Sequence, residues 1–366
     1  MKSNYQILAV NPGSTTTKVS IFRNETEVFE STIDHPVEVT GSFMNVLEQL
    51  DLRMETVREI ISDRGLALQD FHAIVGRGGI IRPVKSGTYA ICAEMVSDLE
   101  KGAAGGHASS LAGIIAYRFG KEAAIPSFIV DPVIVDEMDD IARITGMPGL
   151  ERKSLWHALN QKASARRAAD EMNRCYGDIN LIVAHLGGGI TIGAHQRGRV
   201  IDVNNGLDGE GPLSPQRAGT LPAGELVRLC YSGEYTYTEM MSRIKGKAGL
   251  MAHLGTNDAR DVLGMIASGD KHAELIYRAM AYQIAKSIGA NYAVLKGDID
   301  GIVITGGLAY DKTLIAWVID YIGFMGKLFI YPGENEMTAL AGGALRVLRN
   351  EQQALNYIDE AEKVKA

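Results

Sequence analysis

Three strand-like segments recur in the same order in the two halves of the sequence, and this repetition limits the possible folds more than any other feature. In the first half, Ile7-Leu8-Ala9-Val10 runs into a polar turn, Asn11 to Lys18, then into Val19-Ser20-Ile21-Phe22 and a third candidate around Val28-Phe29. In the second half, residues 181–186 meet Gly187-Gly188-Gly189 and are followed by strand-like residues 190–195 and 200–203. A second echo pairs residues 73–79, ending Gly76-Arg77-Gly78-Gly79, with residues 301–307, ending Ile304-Thr305-Gly306-Gly307. A third pairs residues 127–132 with 327–332, each a strand ended by proline. Short apolar runs bounded by turn residues predict strands, and an ordered repeat of them predicts one α/β architecture used twice. Helical spacing covers residues 43–61, residues 258–267 behind a Thr256 cap, residues 273–295, and residues 336–349 before a charged tail. The expected division is a first domain over residues 1–150, joined by a C-terminal helix from 345–366, and a second over residues 151–344. Gly146-Met147-Pro148-Gly149 marks the expected junction.

A chain of 366 residues, 46% hydrophobic, has room for about two such domains. Lys and Arg number 37 against 44 Asp and Glu, a net charge of −7, which argues against a nucleic-acid or anionic-membrane partner. Cys92, Cys175 and Cys230 are scattered and odd in number, so no disulfide framework or zinc site is expected. The apolar run near Met1 is too short for a signal peptide, and no stretch approaches the ~18 apolar residues of a membrane span. A cytoplasmic protein is expected.

The polar segment Asn11-Pro12-Gly13-Ser14-Thr15-Thr16-Thr17-Lys18 concentrates amides, hydroxyls and an ammonium, the donors that phosphate oxygens require. A solvated hairpin is its plain alternative. Gly187, Gly188 and Gly189 would let a ligand approach the backbone; alone they mark only a turn. Asp131 and Glu336 fall at or just after the ends of echoed strands, where open α/β sheets bind ligands, and carboxylates there suit magnesium carried by phosphates. Taken singly, the first reads equally as a turn acid and the second as a helix-start acid. Arg77, in a glycine frame, and Arg217, in an open loop, offer guanidinium forks for carboxylate or phosphate, with Arg82 a competitor for the first. His157 and His107 each open a predicted helix. No HExxH or GxSxG pattern supports zinc or serine hydrolysis.

Together, residues 11–18, the turn after His185, the Asn257-Asp258-Ala259-Arg260-Asp261 segment and residues 304–307 resemble acetate kinases and butyrate kinases, of the sugar kinase, chaperone and actin superfamily. The similarity spans nearly the whole chain. It is closest to the butyrate kinases through Val75-Gly76-Arg77-Gly78-Gly79 and Asp208-Gly209-Glu210-Gly211-Pro212-Leu213-Ser214-Pro215-Gln216-Arg217. The resemblance implies a duplicated ribonuclease-H-like (actin-like ATPase) α/β fold, with two domains around an ATP cleft. It also implies transfer of the γ-phosphoryl group of Mg-ATP to a short-chain carboxylate, giving an acyl phosphate and ADP. By resemblance, Asn11 and Glu336 lie near Mg2+, and Ser14, Thr16 and Lys18 lie in a phosphate turn. Arg77 and His107 meet the acid, Arg217 stabilises the transferring group, Asp131 organises the site and His157 supports the transition state. His185 and Gly187, Gly188 and Gly189 would touch phosphates, while Asp258, Ala259, Arg260, Gly306 and Gly307 would line the nucleoside pocket. Gly188 stands where acetate kinases carry Asn, and Tyr310-Asp311 where they carry Glu-Asn; both differences suit the butyrate branch, and Tyr310 is given no metal role. The family's habit implies a homo-oligomer. A branched-acid kinase is the nearest rival, and an ATP-gated regulatory module of the same superfamily is an alternative of another class.

Overall fold

The computed structural model describes residues 4–13, 15–41, 43–104 and 108–364. Contacts divide the chain into one unit formed by Met1–Asp136 with Asn335–Ala366 and another formed by Glu137–Glu334.

In the first unit, β1 (Gln6–Pro12), β2 (Thr16–Arg23) and β3 (Thr26–Asp34) form an antiparallel meander. β4 (Ala73–Arg77) then pairs parallel with β1, while β5 (Thr88–Ala90) runs antiparallel to β6 (Ser127–Val130) at the far edge. The order is β3-β2-β1-β4-β6-β5. In the second unit, β7 (Asn180–Leu186), β8 (Ile190–Gln196) and β9 (Arg199–Val203) repeat the meander. β10 (Gly301–Gly306) and β11 (Leu328–Pro332) repeat the parallel additions, giving β11-β10-β7-β8-β9. Read from the meander outward, both sheets have one order, as the three echoes predict, and β5 is an extra edge strand of the first.

Parallel strands must be covered on both faces, and period-two alternation sorts their side chains between the two covers. In the first unit Leu8, Val10, Ile74 and Ile129 join Leu50–Ser62 and Ser110–Ala123 in one core. The alternate residues are buried too, and on their side the helix Glu336–Leu348 packs against β1, β4 and β6, with Gly343 seated on Val130. In the second unit Ile182, Ala184, Leu186, Ile302 and Ile304 pack with Lys271–Val294 and Lys312–Ile322. Leu181, Val183 and Val303 face the alanines of the helix Ala158–Glu171.

Two helix starts depart from the sequence reading. The helix expected over residues 43–61 begins at Leu50, after a 3-10 turn, Val46–Gln49, that the Asn45 side chain caps. Asp258 caps Ala259–Ala267 by accepting from the Arg260 amide, while the Thr256 hydroxyl bonds Asp261 instead. Among the described residues no helix is long and apolar enough to cross a membrane, and Cys92, Cys175 and Cys230 are free thiols.

The helix Ala158–Glu171 carries three buried polar residues in succession, Asn160, Gln161 and Lys162. Lys162 is fully buried; its ammonium meets Glu137 Oε2 at 2.6 Å and the Gly198 carbonyl at 2.7 Å, and the same carboxylate accepts from the Val200 amide. Removing one partner of a buried pair strands the other charge, at a cost of about 3–5 kcal/mol. Lys162→Met is therefore expected to lower the unfolding free energy measured by urea denaturation by that amount, with Lys162→Met/Glu137→Met recovering most of the loss. Equal midpoints for the single variant and the parent protein would show the pair to be dispensable.

Candidate active site

The parallel strands β1, β4 and β6 end at one edge of the first sheet, and the candidate chemistry lies at or next to their last residues. Asn11 lies one register step beyond the Val10–Gly76 pair, which sets it beside Arg77. Both reach Glu336, the first residue of the covering helix: Asn11 Nδ2 donates to Oε2 at 2.7 Å, and Arg77 meets Oε2 through Nη1 and Oε1 through Nη2, each at 3.0 Å. The contact is a forked, two-point grip on a carboxylate, with the two side chains only 25% and 11% exposed. The helix N-terminus adds a partial positive charge that favours the acid there.

Asp131, just past β6, is buried and has a left-handed backbone, φ 38°, unusual outside glycine. Its Oδ1 accepts from Ser86 Oγ at 2.6 Å and from the Gly87 amide at 2.8 Å, while its own amide donates to the Gly87 carbonyl. The carboxylate thus fastens the 86–87 loop to the strand end.

The polar turn is shorter than the sequence suggests. β1 continues to Pro12 and β2 starts at Thr16, because the strand ladder runs on through Asn11–Lys18 and Pro12–Thr17. Lys18 is accordingly a strand residue, and its ammonium pairs with Glu30 of β3 at 3.3 Å. Thr17 points the other way, to His35 and to the buried Arg53, which also donates to the Thr16 carbonyl. Ser14 and His107 lie outside the described residues.

The second unit repeats the arrangement with different chemistry. His185, next to the end of β7, lies on the face that Asn11 occupies in β1, and Thr305 of β10 stands beside it in register. Asn160, in the first turn of the covering helix, accepts from His185 Nδ1 at 2.7 Å and donates to the Glu334 carbonyl at 2.6 Å. His157, the residue before that helix, stacks on His185 with centroids 3.8 Å apart and planes 14° apart, and its Nδ1 lies 2.9 Å from Thr191 Oγ1. Asn160, Gln161, Thr191 and Glu334 were not singled out from the sequence. The available signal was the polar Asn160-Gln161-Lys162 run inside an alanine-rich helix that packs on a sheet.

Arg217 and the triple glycine meet directly, and this changes what the glycines are for. A Cβ on Gly189 would lie 2.0 Å from Arg217 Nη1, so the missing side chain makes room for the guanidinium, not for a ligand alone. Arg217 also donates to the Gly206 carbonyl, Ser214 Oγ donates to the Gly188 carbonyl at 2.7 Å, and the Gln216 amide donates to the same carbonyl. The 211–220 loop is thereby laced to the turn after β7. Burial lowers the Arg217 pKa from its ordinary value, with Asp208 opposing the shift. Gly306 has φ 93°, and a Cβ there would sit 2.3 Å from the Leu186 carbonyl; its amide and carbonyl both bond Gly333, and Gly307 follows in a 3-10 turn. Asp258 and Arg260 clasp each other on the exposed start of their helix, which Ala259 opens, and Arg260 holds the Asp258 carboxyl down at about 2. Asp311 caps Lys312–Ile322 and accepts from Tyr277, beside an exposed Tyr310.

Among the described residues no three His, Cys, Asp or Glu side chains converge as a metal site. Glu336 is a hard oxygen donor of the kind magnesium takes with phosphates and water, but here Asn11 turns its amide nitrogen to that carboxylate and Arg77 meets both of its oxygens, so a magnesium ion would take the place of these hydrogen bonds.

The fold is similar to the crystal structure of Porphyromonas gingivalis acetate kinase, with a TM-score of 0.75 and 18% identity over 94% of this chain and 100% of that one. A propionate kinase from Francisella tularensis subsp. tularensis SCHU S4 gives 0.73 and 18% over 93% and 98%. A ROK family protein from Streptococcus pneumoniae TIGR4, in complex with sucrose, gives 0.50 and 14% over 95% and 99%. At these identities the likeness is one of fold: two α/β domains with mixed sheets, as expected from the sequence. The family model described as "Acetokinase family" matches residues 150–349, more than half of the chain, and the chain belongs to the acetokinase family.

Proposed function

We propose that the protein is a butyrate kinase, transferring the γ-phosphoryl group of ATP to butanoate to give butanoyl phosphate and ADP, reversibly. Family membership supports a phosphotransferase with a carboxyl acceptor. The observation that carries the reading is the Arg77 fork held at the strand edge, which grips a carboxylate at two points; an acyl carboxylate presents the same pair of oxygens and would take the fork in place of Glu336, leaving Glu336 to magnesium. The choice of butanoate rests on residues 75–79 and 208–217, whose sequence resembles the butyrate kinases.

Two anions must meet in this reaction, so the chain's task is to offset repulsion and to stabilise charge that spreads over the transferring group. Arg77 binds the acid, and Arg217, already half-desolvated and fixed by Gly189 and Gly206, needs no reorganisation to donate to the phosphoryl oxygens. The nucleophile is ionised at neutral pH, so no strong base is required. Asp131 accordingly acts as an organiser, holding the loop beside the β6 end, and His157 as a hydrogen-bond donor to an anionic oxygen. Thr16, Ser14 and the 187–189 turn contribute phosphate contacts, to which Lys18 adds only by releasing Glu30; Asp258, Ala259, Arg260, Gly306 and Gly307 contribute the nucleoside contacts, and His107 a contact to the acid. Asn11 and Glu336 would hold magnesium brought in on the nucleotide's phosphates, where it supplies neutralising charge.

Trapping the acyl phosphate with hydroxylamine across acetate, propionate, butyrate, isobutyrate and valerate tests the assignment. A kcat/KM maximum at butyrate supports it, a maximum at another acid replaces butanoate as the substrate, and no product from any acid overturns the kinase reading. Arg77→Ala is expected to raise KM for the acid by about 10- to 100-fold, the worth of a charge-assisted contact; an unaltered acid dependence removes the contact. Arg217→Ala is expected to lower kcat by roughly 10²- to 10³-fold while ATP still binds. Turnover at the parent rate would take Arg217 out of the chemistry.

A further inference from the structure

The polar groups behind the stacked histidines determine where the imidazole protons sit. Each amide orientation is pinned by a backbone carbonyl. Asn160 Nδ2 donates to the Glu334 carbonyl at 2.6 Å; turning the amide over would set two carbonyl oxygens against each other. Its Oδ1 therefore faces His185 Nδ1 at 2.7 Å, and that nitrogen must carry a proton. Gln161 Nε2 donates to the Thr191 carbonyl at 3.0 Å, which fixes its Oε1 as acceptor from His195 Nε2 at 3.0 Å.

The second Gln161 amide proton goes to Thr191 Oγ1 at 2.8 Å, and the His157 backbone amide points at the same oxygen from 3.5 Å. With Gln161 donating to the Thr191 hydroxyl and the His157 amide at the long end of hydrogen-bond range on its other side, the hydroxyl is left with its own proton to give, and His157 Nδ1 stands 2.9 Å away to accept it. His157 Nδ1 is thus the unprotonated nitrogen, and its proton lies on Nε2.

We propose that Asn160, Gln161 and Thr191 are positioning residues that hold the two stacked imidazoles in opposite tautomers, His157 protonated on Nε2 and His185 on Nδ1. His157 then presents an N–H to an anionic oxygen without first gaining a proton. The tautomers are argued from these hydrogen bonds, and the use of that N–H rests on the proposed phosphoryl transfer. His185 Nε2 faces Glu334 Oε1 at 3.8 Å, so His185 keeps its Nδ1 proton in either charge state.

Long-range ¹H–¹⁵N correlation of the imidazoles in the full-length protein, at about pH 8 where histidine is ordinarily neutral, reads the protons directly. The expected spectra show an unprotonated Nδ1 on His157 and a protonated Nδ1 on His185. Thr191→Val, which keeps the shape but removes the hydroxyl, is expected to move the His157 Nδ1 resonance and leave His185 in place, and Thr191→Ser to restore the parental spectrum. In the acid-phosphorylation assay the valine variant should lose roughly tenfold or more in kcat with KM little changed, and the serine variant should recover it. A protonated His157 Nδ1 or an unprotonated His185 Nδ1 in the parent protein overturns the inference, as does a His157 spectrum indifferent to Thr191→Val. The expected spectra from a protein that phosphorylates no acid support the tautomers and remove only the kinase reading.

Discussion

Glu336 is a carboxylate at the first turn of a helix that covers one face of a parallel sheet, and the candidate site of the first unit depends on its position. The sheet needs that cover because β1 and β4 are apolar on both faces, so the helix start is delivered to the C-terminal strand edge whatever chemistry the edge carries. The acid is favoured by the helix dipole and by Arg77, and Arg77 and Asn11 are in turn aligned by strand register. Orientation of the guanidinium is thus a consequence of sheet packing and does not rest on a flexible loop.

The second unit fills the corresponding place with amide and imidazole groups. The helix Ala158–Glu171 covers its sheet, and its first turn meets the ends of β7 and β10 through Asn160, His185 and Thr305. A charged fork in one unit and an amide–imidazole network in the other occupy equivalent places of a repeated topology. The strand order is repeated while the side chains at corresponding places differ.

Glycine and arginine show how far a motif can be read. Gly187-Gly188-Gly189 looked from the sequence like a backbone laid open for a ligand. In the structure the tight constraint at Gly189 is the Arg217 guanidinium, which approaches from a loop well along the chain. Lys18 is a similar case: its neighbours in sequence group it with a polar turn, and the β1–β2 ladder places it within a strand, paired with Glu30. Both differences arise because a local string specifies residue types, whereas contacts are made across strands and between loops.

The sequence by itself determined the architecture: short apolar runs, turn residues and their repeated order are local signals, and two sheets of matching strand order follow from them. Pattern placed Arg77, Asp131, His157 and Glu336 at strand ends and helix starts and Asn11 in a polar turn, and their roles came from the resemblance of the surrounding motifs to a family. Only the tertiary structure decided their partners. Asn11 and Glu336 are separated by 325 positions, and Arg77 and Glu336 by 259, yet each pair is in hydrogen-bond contact. The commitment of Asp131 to Ser86 and Gly87, and the Thr191–Gln161 link behind His157, likewise have no signature in periodicity or composition. Hydrogen bonds are short-ranged and directional, so they are set when packing fixes helix against sheet, a step that pattern along the chain does not encode.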